Sequence, residues 1–271
     1  MGRDGAALCW RLPGESNKAG HNAGAQPAGA RDEASSAEAV RAMFDRIAPR
    51  YDLLNHVLSC GVDRTWWWRT ARRFRHILAL PEARVLDICC GTGDMTLALL
   101  RRRPENGTPV IAADFSPQML ALARKKLAGR RAEVTAADAL HLPMDNASLD
   151  LITTAFGFRN LANYRAGLEE FFRVLAPAGE LGILDFSEPG GFLGQAFGFY
   201  FRHVLPAIGA RISGDALAYG YLPASVEKFP PPSAMADLMR EVGFEEVSWT
   251  PYTFGIAGLW RGVKQGIRSR D

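Results

Sequence analysis

The chain has 271 residues, 48% of them hydrophobic, which is ample material for one large core or two small ones. Lys and Arg total 32 against 29 Asp and Glu, and the resulting net charge of +3, spread along the sequence, is too weak to imply a nucleic-acid surface. No apolar run approaches the ~20 residues needed to cross a bilayer; the nearest, Phe192 to Ile208, is broken by Arg202, His203 and Pro206.

Residues Met1 to about Ser36 are rich in Ala, Gly, Asn, Glu and Ser, lack periodicity and read as a floppy tail with no secretory h-region. Residues 37–271 then read as a single domain. Order is expected from near Glu38, where Val40, Met43, Phe44 and Ile47, and later Leu53, Leu54, Val57 and Leu58, recur at helical spacing. Two or three helices therefore fill residues 37–83. Trp66, Trp67 and Trp68 cannot share one helix face, so at least one packs inside; the cluster reads either as core or as an amphipathic face resting on a membrane.

From Arg84 the chain alternates. Strands are expected at Val85–Ile88, Val110–Asp114, Val134–Ala136, Leu149–Ala155 and Leu181–Phe186, with helices at Asp94–Arg102, Pro117–Leu127 and Tyr164–Leu175. That order predicts an α/β, doubly wound, mostly parallel sheet. Ser116 caps a helix whose first position is Pro117, the triplet Arg101, Arg102, Arg103 suits a helix end, and Pro177-Ala178-Gly179 is expected to stop the third helix. After Pro189 an aromatic, glycine-rich insertion over 190–232 is expected to form an irregular cap. A helix at Ser233–Val242 and two segments, Glu246–Thr250 and Gly258–Val263, then close a seven-stranded sheet as an antiparallel hairpin.

The stretch VLDICCGTGDMT, Val85 to Thr96, is a buried strand running into a helix. Ligands of open parallel sheets bind beyond the carboxyl ends of the strands. Gly91 and Gly93 let a ligand approach the backbone, and the helix that follows presents free N–H groups. A dinucleotide fingerprint would place glycine at 96, where Thr96 stands, and no Gly-Lys-Ser/Thr follows for a phosphate loop. Asp94 at the helix start disfavours a pyrophosphate and suits a cationic ligand. Asp114 ends the next strand, where it can accept both hydroxyls of a ribose. Asp138 and Ala139 close the third strand, where a carboxylate can take an exocyclic amine beside a purine ring. Adenosine with a cationic tail describes S-adenosylmethionine. The four cysteines, Cys9, Cys60, Cys89 and Cys90, offer no spaced CxxC pairs, so neither a zinc site nor a disulfide framework is expected, and a reduced, cytosolic compartment fits.

With those residues in view the sequence resembles Rossmann-like methyltransferases, and more narrowly the ubiquinone/menaquinone biosynthesis C-methyltransferase family. FDRIAPRYDLLNHVLSCGVDRTWW from Phe44, VLDICCGTGD, AFGFRN from Ala155 to Asn160, and YLPASVEKFP from Tyr221 carry the likeness, which spans Val40 to Lys264. The resemblance implies cofactor contacts at Thr92, Asp114, Asp138 and Ala139, beside Gly91. Cys89 and Cys90 depart from the Ala and Gly often found there, and Ala155 replaces a serine that some ubiquinone-pathway members carry.

The activity implied is C-methylation of a polyprenyl hydroquinone, demethylmenaquinol to menaquinol, with the equivalent benzoquinol step of ubiquinone biosynthesis or a non-catalytic pathway scaffold as alternatives. Arg159 and Asn160, just past the fourth strand, are expected to steady phenolate charge or orient a water, because arginine does not lose its proton. Tyr51 and Asp52 are expected to close over the ring, and Asp52 or His203 to accept the proton. The aromatic insertion, Phe192 to Phe201, offers room for the polyprenyl tail. Expected partners are thus a lipidic quinol, a peripheral contact with the inner membrane face, and a second copy or other quinone-pathway enzymes, with no nucleic acid and no metal.

Overall fold

The structure, a computed structural model, describes residues 24–50 apart from 26 and 28, residues 61–187, residue 189 and residues 224–266. Tyr51, Asp52, His203 and the aromatic stretch through Phe201 lie outside the described residues. One seven-stranded sheet runs in the order β3-β2-β1-β4-β5-β7-β6. β1 (Val85–Ile88), β2 (Val110–Asp114), β3 (Ala132–Ala136), β4 (Leu149–Ala155) and β5 (Leu175–Phe186) are parallel; β7 (Ala257–Lys264) is antiparallel to both β5 and β6 (Phe244–Tyr252). The expected seven-stranded, doubly wound sheet with a closing hairpin is present.

Helices cover both faces because the parallel strands are apolar on both. Leu86 and Ile88 of β1 pack in a core with Leu168 and Phe171 of α5 (Tyr164–Val174) and Met235 and Met239 of α6 (Pro232–Val242). Val85 faces the opposite core, with Trp66 of α2 (Asp63–Arg73), Phe74, and Met95 and Leu99 of α3 (Asp94–Leu100). Phe74 lies flat on the sheet only because residue 182 is glycine: a Cβ there would stand 2.5 Å from the ring. α4 (Pro117–Lys126) begins as expected, Ser116 Oγ accepting from the Met119 amide at 3.1 Å.

Several element ends shift by one to six residues from the sequence reading, and three departures bear on the site or its neighbours. α1 (Glu33–Ile47) starts five residues before Glu38, because Asp32 and Ser35 form a reciprocal cap, Asp32 Oδ1 accepting from the Ser35 amide at 2.8 Å. Upstream, the Ala25 amide donates to the Leu161 carbonyl at 2.7 Å and the Ser36 hydroxyl to the Ala25 carbonyl, so this part of the expected tail is tied to the domain. α5 ends at Val174 and β5 resumes at once at Leu175; Pro177-Ala178-Gly179 is a bulge inside the strand, with Ala178 at φ 59°, not a helix stop. β3 ends at Ala136, which leaves Asp138 beyond the strand in a turn. No helix among the described residues is long and apolar enough to cross a membrane.

Candidate cofactor site

A cavity of about 400 Å³ opens beyond the carboxyl ends of β1 to β4 and under α1, within the range of small-molecule sites. Each strand end contributes a piece of its wall. After β1 the chain turns through Cys89 at φ 55° and Gly91 at φ 55° before Gly93, at φ 94°, starts α3. Cys89 is an L residue in the left-handed region, which costs about 1–2 kcal/mol. It is held there by the β4 loop, since a Cβ at Gly157 would fall 2.3 Å from Cys89 Cβ. Burial, then the Asp114 charge, pushes the Cys89 thiol well up, which disfavours its thiolate.

Asp114, 5% exposed, lines the cavity with both carboxylate oxygens oriented by main chain: Oδ2 accepts from the Gly91 amide at 2.8 Å and Oδ1 from the Ser116 amide at 2.9 Å. Burial raises its pKa against those two bonds, which favour the charged form. Each oxygen keeps a second lone pair for a ligand hydroxyl. Ser116 also donates to Asp45 Oδ1 of α1 at 2.6 Å. That bond seats α1 over the cavity, which Glu38, Arg41 and Phe44 line from above.

Asp138 and Ala139 line the next wall; Asp138 Oδ1 accepts from the Leu140 amide at 2.9 Å. Phe115, Met119 and Leu140 give the cavity its apolar sides. From β4 come Ala155, Phe156, Gly157 and Asn160. Of the residues expected from sequence, Gly91, Asp114, Asp138, Ala139 and Asn160 are thus brought together around one space.

Thr92, Asp94 and Arg159 are placed otherwise. Thr92 is buried outside the lining, and its Oγ1 accepts from Lys126 Nζ at 2.7 Å. The same ammonium meets Asp94 at 3.0 Å, and Asp94 lies outside the lining of this cavity. Thr96 occupies the dinucleotide glycine position for a different purpose: its hydroxyl donates to Asp87 Oδ2 at 2.6 Å, while Thr153 donates to Oδ1 at 3.0 Å. Arg159 lies in a 3₁₀ turn over Phe158–Asn160 and points behind the wall, where Nη1 pairs with Asp185 Oδ1 at 2.8 Å and also donates to the Phe156 carbonyl. The Arg159 amide holds the other Asp185 oxygen at 3.1 Å.

Lys126, Asp185, Phe115, Met119 and the α1 face were not found from sequence. Asp185 had a signal, since it stands one residue before the end of a strand expected at Leu181–Phe186, and acids at the ends of earlier strands read as site residues. Phe115 follows the ribose-binding acid directly. Lys126 and the α1 face carry no local signal, because only the tertiary arrangement brings them to the site.

The profile of the ubiE/COQ5 methyltransferase family matches residues 32–264. A demethylmenaquinone methyltransferase of Deinococcus radiodurans is 48% identical over 237 residues, 86% of this chain and 96% of that protein. A protein of the same name from Thermus thermophilus is also 48% identical, over 225 residues covering 81% and 99%. Among solved structures, a SAM-dependent methyltransferase from Thermotoga maritima shares the fold at a TM-score of 0.56 and 21% identity, covering 83% of this chain and all of the other. From the capped start of α1 to the end of β7, the chain belongs to the ubiE/COQ5 methyltransferase family.

Proposed function

We propose that this methyltransferase carries a methyl group from S-adenosylmethionine to a ring carbon of a polyprenyl hydroquinone, demethylmenaquinol being the acceptor, the hydrogen on that carbon leaving as a proton and the sulfonium becoming a thioether. Asp114 is the observation that carries the reading: a buried carboxylate, aimed by two amides, at the edge of a cavity whose other walls suit a nucleoside. Its oxygens take the ribose diol, Phe115 and Met119 border the purine, and Asp138 accepts from the exocyclic amine. The names of the 48% identical relatives support the acceptor.

When bound, the cofactor supplies an electrophilic methyl on a sulfonium. The protein's share is placement and charge. The Cys89–Gly91 turn presents backbone close to the tail of the ligand. Phe156, Gly157 and Asn160 shape the opposite wall, from which the acceptor ring approaches in line with the methyl. Asn160 is the polar side chain of that wall and offers its amide to the ring oxygen whose negative charge makes the neighbouring carbon nucleophilic. Arg159 and Asp185, locked behind the wall, hold the turn that positions Asn160.

The test combines calorimetry and turnover. Asp114→Ala should weaken S-adenosylmethionine binding by roughly 1.5–3 kcal/mol, the range for a hydrogen bond to a charged group. Wild-type protein should methylate demethylmenaquinol faster than a 2-polyprenyl-6-methoxy-1,4-benzoquinol analogue. Unchanged affinity sinks the ribose contact, and preference for the benzoquinol sinks the acceptor.

A further inference from the structure

α2 has two opposed faces. Trp66 is buried, its ring centroid 5.7 Å from Phe156 and 6.2 Å from Phe186, and Phe156 lines the cofactor cavity. Two positions on, Trp68 is 47% exposed, with Arg72 at 5.2 Å and Arg102 at 5.6 Å from its ring centroid. Arg64, Arg69 and Arg73 stand on the same helix, and Arg101 ends α3 beside it. No carboxylate among the described residues pairs with any of these six arginines; Asp94, the acid at this surface, is held by Lys126. In a chain of net charge +3, the exposed side of α2 and the end of α3 thus gather six arginines around Trp68 with no carboxylate partner among the described residues.

The surface continues onto the turn between β6 and β7. Arg69 lies 4.2 Å over the Tyr252 ring, and Trp66 Nε1 donates to Thr253 Oγ1 at 2.8 Å. Phe254, next in the chain, is 80% exposed. Thr253 and Phe254 stand at φ 45° and 59°, strained values for a β-branched and an aromatic residue. The register pairs Phe186 with Ala257, which puts this turn at the same sheet edge as the cavity.

Arginines alone fit any polyanion. An exposed indole among them and a phenyl ring held out on a strained turn fit a surface that is anionic outside and apolar beneath. We infer that the arginine face of α2, with Trp68 at its centre and Phe254 at its rim, docks on an anionic phospholipid surface. Choosing lipid over nucleic acid rests on the quinol reading above. Docked this way, the protein meets a membrane-dissolved acceptor at the edge where the cavity opens.

Co-sedimentation of the full chain with vesicles tests this. Binding to mixed phosphatidylcholine and phosphatidylglycerol should exceed binding to phosphatidylcholine alone by at least about tenfold and fall as salt is added. Arg72→Glu/Arg101→Glu should lose roughly tenfold or more of it. Phe254→Asn, a residue that tolerates left-handed backbone, should lose on the order of threefold. Both variants should bind S-adenosylmethionine as the wild type does. Equal binding of the wild type to neutral and anionic vesicles overturns the inference whatever the variants do, as does tighter binding to polyuridylate than to anionic vesicles. Vesicle binding without methylation of any quinol would sink the acceptor reading alone; methylation of a short-chain quinol without vesicle binding would sink the docking face alone.

Discussion

Arg159 and Asp185 show what one pair of side chains does at this site. Their charges meet at 2.8 Å with 5% and 0% of the side chains exposed. Such a pair is costly to desolvate, so its net contribution is modest, but removing one partner strands the other. Arg159→Ala should therefore lower stability by about 3–5 kcal/mol, and Arg159→Met/Asp185→Asn should recover most of it. Urea unfolding of the two variants checks this; a double variant no more stable than the single one would show that the charges are not coupled. Turnover that stays low after stability returns would assign Arg159 a role beyond holding the turn. Position after β4 made the turn that holds Arg159 legible as a neighbour of the cavity, which Gly157 and Asn160 line. The direction of the Arg159 side chain was not legible, because that depends on an acid 26 positions away in sequence.

At the level of elements, α1 is the piece that joins the site from farthest away. The spacing of Val40, Met43, Phe44 and Ile47 announced a helix, and β2 and β4 were found to the residue. The start of α1 was missed because its cap, Asp32 with Ser35, sits in a polar stretch that resembles a tail. What α1 covers cannot be read from periodicity, which reports an apolar face and not its destination. The Asp45 to Ser116 bond is the link that seats it. Asp45→Ala should loosen this lid, weakening cofactor binding by about 0.5–1.5 kcal/mol, with most of the effect in faster release. Stopped-flow displacement measures it, and an unchanged release rate would show that α1 is fixed by its apolar contacts alone.

For the molecule as a whole, β1, flanked by β2 and β4 inside the sheet, carries a fully buried acid, Asp87. Burial pushes the Asp87 carboxyl up to about 7, against the bonds from Thr96 and Thr153. The folded chain then holds a proton that the unfolded chain gives up above its ordinary carboxylate range, about pH 4. Stability from this group is present at low pH, falls as pH rises from about 4 to 7, and is level above that. Asp87→Asn should leave stability near wild type at pH 4 and raise it at pH 8 by at most about 4 kcal/mol. Denaturant titrations at the two pH values decide it; an identical pH profile in both proteins would mean Asp87 is ionised throughout. The sequence showed this acid in the strand but not its two threonine donors, which come from α3 and β4.

Cys89, twisted into a left-handed turn, is pressed against Gly157, so the turn after β1 and the turn after β4, which in the proposed function grip the methyl donor and shape the acceptor wall, bear directly on each other. On that reading, a side chain added at position 157 to reshape the acceptor side would displace Cys89 and with it the donor side, so selectivity for the quinol and hold on the donor would change together.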